Sequence, residues 1–230
     1  MKVEQAGRVA LLVLLCVGLL WAAEPWKDKP YTEWTQKEVE RVVQDSPWAR
    51  LIEVLGTSGP GEGAIARSEV SGTKPMSDTA GPQVQARYLV QWASALTMRQ
   101  AQVRSAQLAG REDPENSKAM LAAAPPSYIL SVLGSNMTGF EEIKEEGTKA
   151  AAYLELKSSK MRVTPDQVQF FRPGGRLAQV FIFFPREAEG KPVIPATENK
   201  VEFHCRVGKN EIEATFDLRK MVTRDGKPDL

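Results

Sequence analysis

The sequence predicts an α+β fold, with N-terminal helices and a mostly antiparallel C-terminal sheet. Three observations predict it. Capping motifs followed by apolar residues at helical spacing all fall before residue 152. From Ala152 onward the pattern changes to strand-like runs: AYLELKS, VQFF, AQVFIFF, KVEFHCRV and EIEATFDL. Turn residues separate those runs, and helices in one half followed by strands in the other mark α+β rather than alternating α/β.

The first 23 residues, MKVEQAGRVALLVLLCVGLLWAA, begin weakly basic at Lys2 and Arg8 and continue as an apolar run from Val9. That run is shorter than the roughly 20 residues a helix needs to cross a bilayer. With the small residues Ala22 and Ala23 at its end it reads as a secretory signal peptide. Leu20 and Trp21 are bulky where cleavage prefers a small side chain, so an uncleaved N-terminal membrane anchor is the alternative. Cys16 follows Leu15 inside the apolar run, a poor context for lipid attachment. The expected location is extracytoplasmic, periplasmic or secreted, with membrane contact only through an uncleaved leader.

Residues 24–33 are polar and Pro-punctuated and read as a tether or extended lead-in, and residues 34–230 as a single α+β domain. Thr35 and Glu38 form a capping box, in which the hydroxyl meets the third helical amide and the carboxylate returns to the cap. Val39, Val42 and Val43 then share one helical face. Asp45-Ser46-Pro47 ends this helix, and Ser46-Pro47 has the chemistry to start another. Residues 48–55 are too short for periodicity to choose between helix and strand. Residues 56–86 hold six Gly and three Pro and no aromatic residue. They read as a flexible insertion or an irregular hairpin around Ile65–Val70.

Residues 87–93 alternate as a strand, with Tyr88, Val90 and Trp92 on one face. Ser94 is the expected cap of a helix that ends at Gly110. A shorter helix follows Asp113-Pro114 and stops before Pro125-Pro126. YILSVL is a strand. Thr138 and Glu141 predict a second capping box, with Phe140, Ile143 and Ala150 on the buried face of its helix. In the strand-rich half, 152–230, Pro173-Gly174-Gly175 reverses the chain. Val180 to Phe184 is apolar on both faces, as a strand inside a sheet requires. The last two runs form a hairpin with Val201, Phe203, Cys205 and Val207 facing Ile212, Ala214, Phe216 and Leu218. A turn at Gly208–Glu211 places Arg206 opposite Glu213 and Lys200 opposite Arg219.

Charge gives no argument for nucleic acid. The whole chain carries 30 Lys and Arg against 29 Asp and Glu, and loss of residues 1–23 leaves the balance near zero. Such a surface offers neither a phosphate-binding stripe nor attraction to an anionic membrane. Cys205 is the sole cysteine beyond the leader, so an internal disulfide is excluded and the core alone holds the domain.

The chemistry-bearing motifs are thin. His204 is the only histidine and stands beside Cys205. Strand neighbours point to opposite faces, so Cys205 enters the core and His204 faces solvent, which separates a thiol from its base. Zinc sites draw on several Cys and His, and this chain does not supply them; no metal ligand set and no cofactor are read from the sequence. Gly61–Ala66 matches G-x-G-x-x-A but lacks the flanking strand and helix of a nucleotide fold. Ser71–Lys74 matches S-x-x-K where Gly72 and Pro75 oppose the helical turn that this chemistry needs. No catalytic residue is identified.

Trp26, Trp34 and Trp48 are the candidate binding residues. They lie close together in sequence, next to the lead-in. If exposed, they suit a protein or polymer partner; if buried, they pin the first helix to the core, which is the favoured role.

The segments WTQKEVERVVQDSPWA and QWASALTMRQA, with the ending FDLRKMVTRDGKPDL, resemble an uncharacterised family of exported bacterial proteins. Its features are a signal segment, a W-T…D-S-P-W-A opening, a W-x-S-A strand–helix segment and a G-K-x-D-L end. The resemblance covers most of the chain after the leader. It implies export and one common architecture, and brings no activity or catalytic residue with it.

The leading functional expectation is therefore a non-enzymatic envelope or periplasmic module that binds a protein or polymer partner. The alternative is a cofactor-free hydrolase of glycan or peptide, which requires two carboxyl groups in a concave site, one with a raised pKa.

Overall fold

The computed structural model describes residues 24–56 and 83–230. The leader reading of residues 1–23, the hairpin around 65–70, and the Gly61–Ala66 and Ser71–Lys74 motifs lie outside the described residues. Among those described, no helix is long and apolar enough to cross a membrane.

The fold is α+β and its sheets are antiparallel. The chain order is α1 (Pro25–Asp28), a 3₁₀ turn (Tyr31–Glu33), α2 (Gln36–Gln44), β1 (Ala49–Gly56), β2 (Gln83–Trp92), α3 (Leu96–Leu108), α4 (Pro114–Ala122), β3 (Ser127–Gly134) and α5 (Thr138–Ala151). The strand-rich half follows as β4 (Ala152–Leu156), β5 (Arg162–Val163), β6 (Gln167–Phe171), β7 (Gln179–Pro185), β8 (Glu187–Ala188), β9 (Lys191–Pro192), β10 (Lys200–Val207) and β11 (Asn210–Asp217). The C-terminal half builds a four-stranded sheet, β11-β10-β4-β5, and lends β6 and β7 to a five-stranded sheet, β1-β2-β3-β7-β6. Val180–Phe184, apolar on both faces, lies between β3 and β6.

One core joins the sheets. Trp92 of β2 meets Phe216 of β11 edge-on at 5.3 Å, and Phe184 of β7 meets Phe203 of β10 at 6.5 Å. Phe140 of α5 enters the same core against Tyr88, 6.2 Å away. On one side Arg50 of β1 donates from Nε to the Thr215 carbonyl of β11 at 2.8 Å, with its guanidinium over the Phe216 ring.

Local motifs fix some elements as expected. Thr35 Oγ1 accepts from the Glu38 amide while Glu38 Oε2 accepts from the Thr35 amide, so the first capping box is complete. Asp113 caps α4 through the amides of Glu115 and Asn116. Pro173–Gly175 makes the reversal between β6 and β7, with Gly174 and Gly175 both at positive φ.

Elsewhere tertiary context decides. The lead-in is folded rather than extended: Pro25 starts a short helix and Trp26 packs edge-on against Trp48 at 5.7 Å. Residues 49–56 are strand, and β2 begins at Gln83, so both flanks of the expected insertion zip together, Gly56 opposite Gln83. Ser46 starts no helix; its hydroxyl folds back onto the Val42 carbonyl at 2.6 Å and accepts from the Trp48 amide. Thr138 begins α5 without a capping box, and Asn136 Oδ1 accepts its amide instead. Lys144 interrupts α5 at φ 58°, ψ −173°. That kink rotates the following turn, so Thr148 is buried and Ala150 is exposed.

The β10–β11 hairpin keeps the predicted faces and changes its register. Its loop is only Gly208-Lys209, with Gly208 at φ 62°, the glycine-first turn that suits a two-residue hairpin. The expected register is wrong by two residues. Arg206 opposes Glu211, His204 opposes Glu213, and Lys200 meets Asp217 rather than Arg219. A slip of two preserves which side chains face inward, so hydrophobic alternation could not detect it.

Candidate functional site

The three sequence-predicted binding residues are in the core. Trp26, Trp34 and Trp48 are 4%, 1% and 0% exposed. Trp34 Nε1 donates to the Pro25 carbonyl at 3.0 Å, and the Trp34 carbonyl accepts from Arg104 Nε. Trp48 is the most heavily used. Its amide donates to Ser46 Oγ, its carbonyl accepts from the Trp92 amide at 2.8 Å, and its indole Nε1 donates to the Asp229 carbonyl at 2.8 Å. Rings so enclosed offer no surface to a partner, so the recognition role is corrected to the pinning role.

Trp48 leads to the site that the sequence did not mark. Its partner, Asp229, lies in the C-terminal tail. The Asp229 carboxylate accepts from the amides of Leu96 and Thr97, the latter at 3.0 Å, and so caps α3 from more than a hundred residues away. Ser94, the expected cap, makes no such bond; Ala95 stands at the cap position and the buried Ser94 hydroxyl has no partner.

This junction is one wall of a cleft of about 720 Å³, within the range of small-molecule sites. The start of α3, the end of α4, the stretch after β9 and the tail enclose it. Its apolar lining includes Leu96, Leu121, Ile194, Leu218 and Val222. Its cations are Arg99, Arg186, Arg219 and Lys227. Arg99 is buried and donates to the carbonyls of Ser94, Met120 and Ala123, which ties the end of α4 to the start of α3. Arg186 donates to the Pro125 carbonyl and to the main-chain carboxyl oxygen of Leu230, and lies over the Tyr128 ring at 4.3 Å. The hydrogen-bond partners of Arg99 are neutral carbonyls, and the nearby Asp229 carboxylate favours its charge. Arg219 is paired with Asp217 at 2.8 Å, outside the cleft lining.

Both acids in the lining are occupied. Asp229 holds the α3 amides. Glu198, 5% exposed, accepts from the amides of Ser158, Asn199 and Lys200 and from the Ser158 hydroxyl. Burial works to raise its pKa, and these donors more than reverse that, so its carboxyl sits below the usual value. Burial raises the Tyr128 phenol, against the pull of Arg186, so it stays a neutral hydroxyl.

Cys205 and His204 separate across their strand as expected. Cys205 is fully buried, and burial pushes its thiol up to about 12, which removes it as a nucleophile at neutral pH. His204 departs from expectation. It is on the outer face, yet only 9% exposed, because Tyr153 stacks on its ring at 4.6 Å and Glu202 and Glu213 flank it.

No local signal in the sequence gathers Arg99, Arg186, Lys227 and Asp229. They come from a helix, a strand end and the tail, and only folding brings them together. The class this geometry defines is an antiparallel α+β protein with an apolar-walled cleft that carries arginines and a lysine and is bounded by its tail. Compared with models of protein families, with curated proteins and with solved structures, the chain matches none of them.

Proposed function

We propose that this chain is an exported, non-enzymatic binding module whose cleft takes an amphipathic anion, a carboxylate on an acyl chain. The observation that carries the reading is the unequal use of charge in the cleft. Its acidic side chains are engaged by internal donors, whereas the Arg99 guanidinium beside the apolar wall bonds only neutral carbonyls. Among the described residues Lys227 has no acidic side chain within salt-bridge distance. An anion entering such a site gains charge pairing in reduced dielectric, and its chain covers apolar surface.

The export half of the proposal rests on the leader-like residues 1–23 and on the resemblance to exported proteins. An envelope partner in this reading is an acylated, anionic component rather than a nucleic acid. The hydrolase alternative lacks a supporting observation. It calls for a carboxyl group raised in a concave site, and Glu198 is shifted the other way.

Calorimetry with laurate tests the proposal, with dodecyl maltoside as the neutral partner of equal chain length. Laurate is expected to bind in the micromolar range and the maltoside far more weakly. Lys227→Gln should weaken laurate several-fold, and Leu121→Glu should abolish it. Equal binding of both amphiphiles, or no laurate binding at millimolar concentration, refutes the reading.

A further inference from the structure

The outer face of the four-stranded sheet carries a second site, built around His204. Tyr153 of β4 and Glu213 of β11 stand directly opposite His204 in the register. Glu211 lies on the same face of β11, two residues nearer the turn. The imidazole is held from three directions. Tyr153 stacks on it at 4.6 Å and 12°, and Arg162 in turn lies 4.4 Å over the Tyr153 ring. Nε2 is 3.2 Å from Glu202 Oε2. Glu202 is itself fixed by Lys157 Nζ at 2.6 Å and Thr215 Oγ1 at 2.9 Å.

That carboxylate accepts from Nε2, so the neutral imidazole keeps its lone pair on Nδ1. Nδ1 is buried and has no hydrogen-bond partner. It points at Glu213 Oε1, 3.6 Å away, too far for a hydrogen bond. A lone pair facing a carboxylate is repulsive unless a proton or a metal ion lies between them. The separation suits a metal ion: two ligand atoms each about 2.1 Å from zinc stand roughly 3.4 Å apart at the tetrahedral angle. One ligand atom each from His204, Glu211 and Glu213 lies within 4.8 Å of the others. Glu211 has only a 3.6 Å contact with the exposed Arg206 to give up.

We infer that His204 Nδ1, Glu211 and Glu213 form a site for one divalent transition-metal ion, with solvent completing its coordination. Imidazole with carboxylates favours zinc and its neighbours over calcium, which takes oxygen ligands alone. Glu202 supplies the oriented carboxylate that metal-bound histidines commonly have behind them. Cys205 points into the core and takes no part.

The experiment is a titration of the full chain with zinc chloride alone, followed by calorimetry and by the imidazole nitrogen resonances. His204 is the only histidine, so those resonances need no assignment. One ion per chain is expected at micromolar affinity, with Nδ1 moving to the metal-bound region and Nε2 keeping its proton. The double variant Glu211→Gln, Glu213→Gln should bind roughly tenfold or more weakly. No binding at about 100 μM zinc, unchanged affinity in the double variant, or binding that leaves Nδ1 unmoved overturns the inference. The last result would place the ion on other ligands, such as Cys16. Should the double variant lose its circular dichroism spectrum, the resonances of the unsubstituted chain decide alone.

Discussion

Helices α2 and α3 solve the same problem at their N-termini in opposite ways. Each must satisfy amides that have no partner within the helix. At α2 the answer is local: Thr35 and Glu38 exchange bonds within one turn, and Lys29 adds a 2.8 Å ion pair. At α3 the answer is remote: Ala95 provides nothing, and Asp229 arrives from the tail. The local cap is partly solvated and stabilises one helix. The remote cap is 4% exposed and holds a helix, a tail and a cleft wall in one place. The difference teaches that a cap can be a tertiary contact, and that its loss then reaches beyond the helix it caps.

The largest test of this contrast is Trp48→Ala. Trp48 joins the segment after α2 to Trp92 and to the tail. Removing a fully buried indole costs about 3–5 kcal/mol, enough to threaten folding of a domain of ordinary stability. Urea denaturation should show the midpoint collapse. Next come the caps themselves. Asp229→Ala removes charged hydrogen bonds to one buried and one part-buried amide and should cost about 2 kcal/mol, whereas Thr35→Ala should cost about 1 kcal/mol. Hydrogen exchange adds the sharper reading: Asp229→Ala should also loosen the cleft wall, while Thr35→Ala should loosen only α2. Equal costs and equally local exchange would show that the remote cap is no more than an ordinary one.

The smallest effect is the pH dependence of the local cap. Burial works upward on the Glu38 carboxyl, but the bonds from Lys29 and Thr35 hold it below the usual glutamate value of 4.5. A carboxyl depressed in the folded state contributes its full stabilisation above the unfolded value and loses it as pH falls through the folded one. The Glu38 contribution should therefore be intact at neutral pH and fade below about 4.5. Glu38→Gln should lower stability at pH 7 and flatten the acid limb. An acid limb identical to that of the parent would mean that the box is neutral to stability.

These regions also divide what was legible. The α2 box, the Asp113 cap, the Pro173–Gly175 reversal and the inward faces of β2, β10 and β11 are legible from spacing, because each depends on residues within a few positions. The Ser94 cap and the second capping box were misread for a physical reason. A hydroxyl at the right spacing competes with whatever folding brings nearby, and Asp229 and Asn136 won. Ala150 was misplaced because Lys144 broke the helical phase that its burial assumed.

Local sequence was enough for the fold class, the inward faces of β2, β10 and β11 and the separation of Cys205 from His204, since side-chain alternation is a local property of the backbone. Tertiary structure alone decided the hairpin register, the fate of the tryptophans, the cleft and the His204 cluster. A period of two names a face but not a partner, and residues far apart in sequence share a site only when loops and turns set where their elements meet.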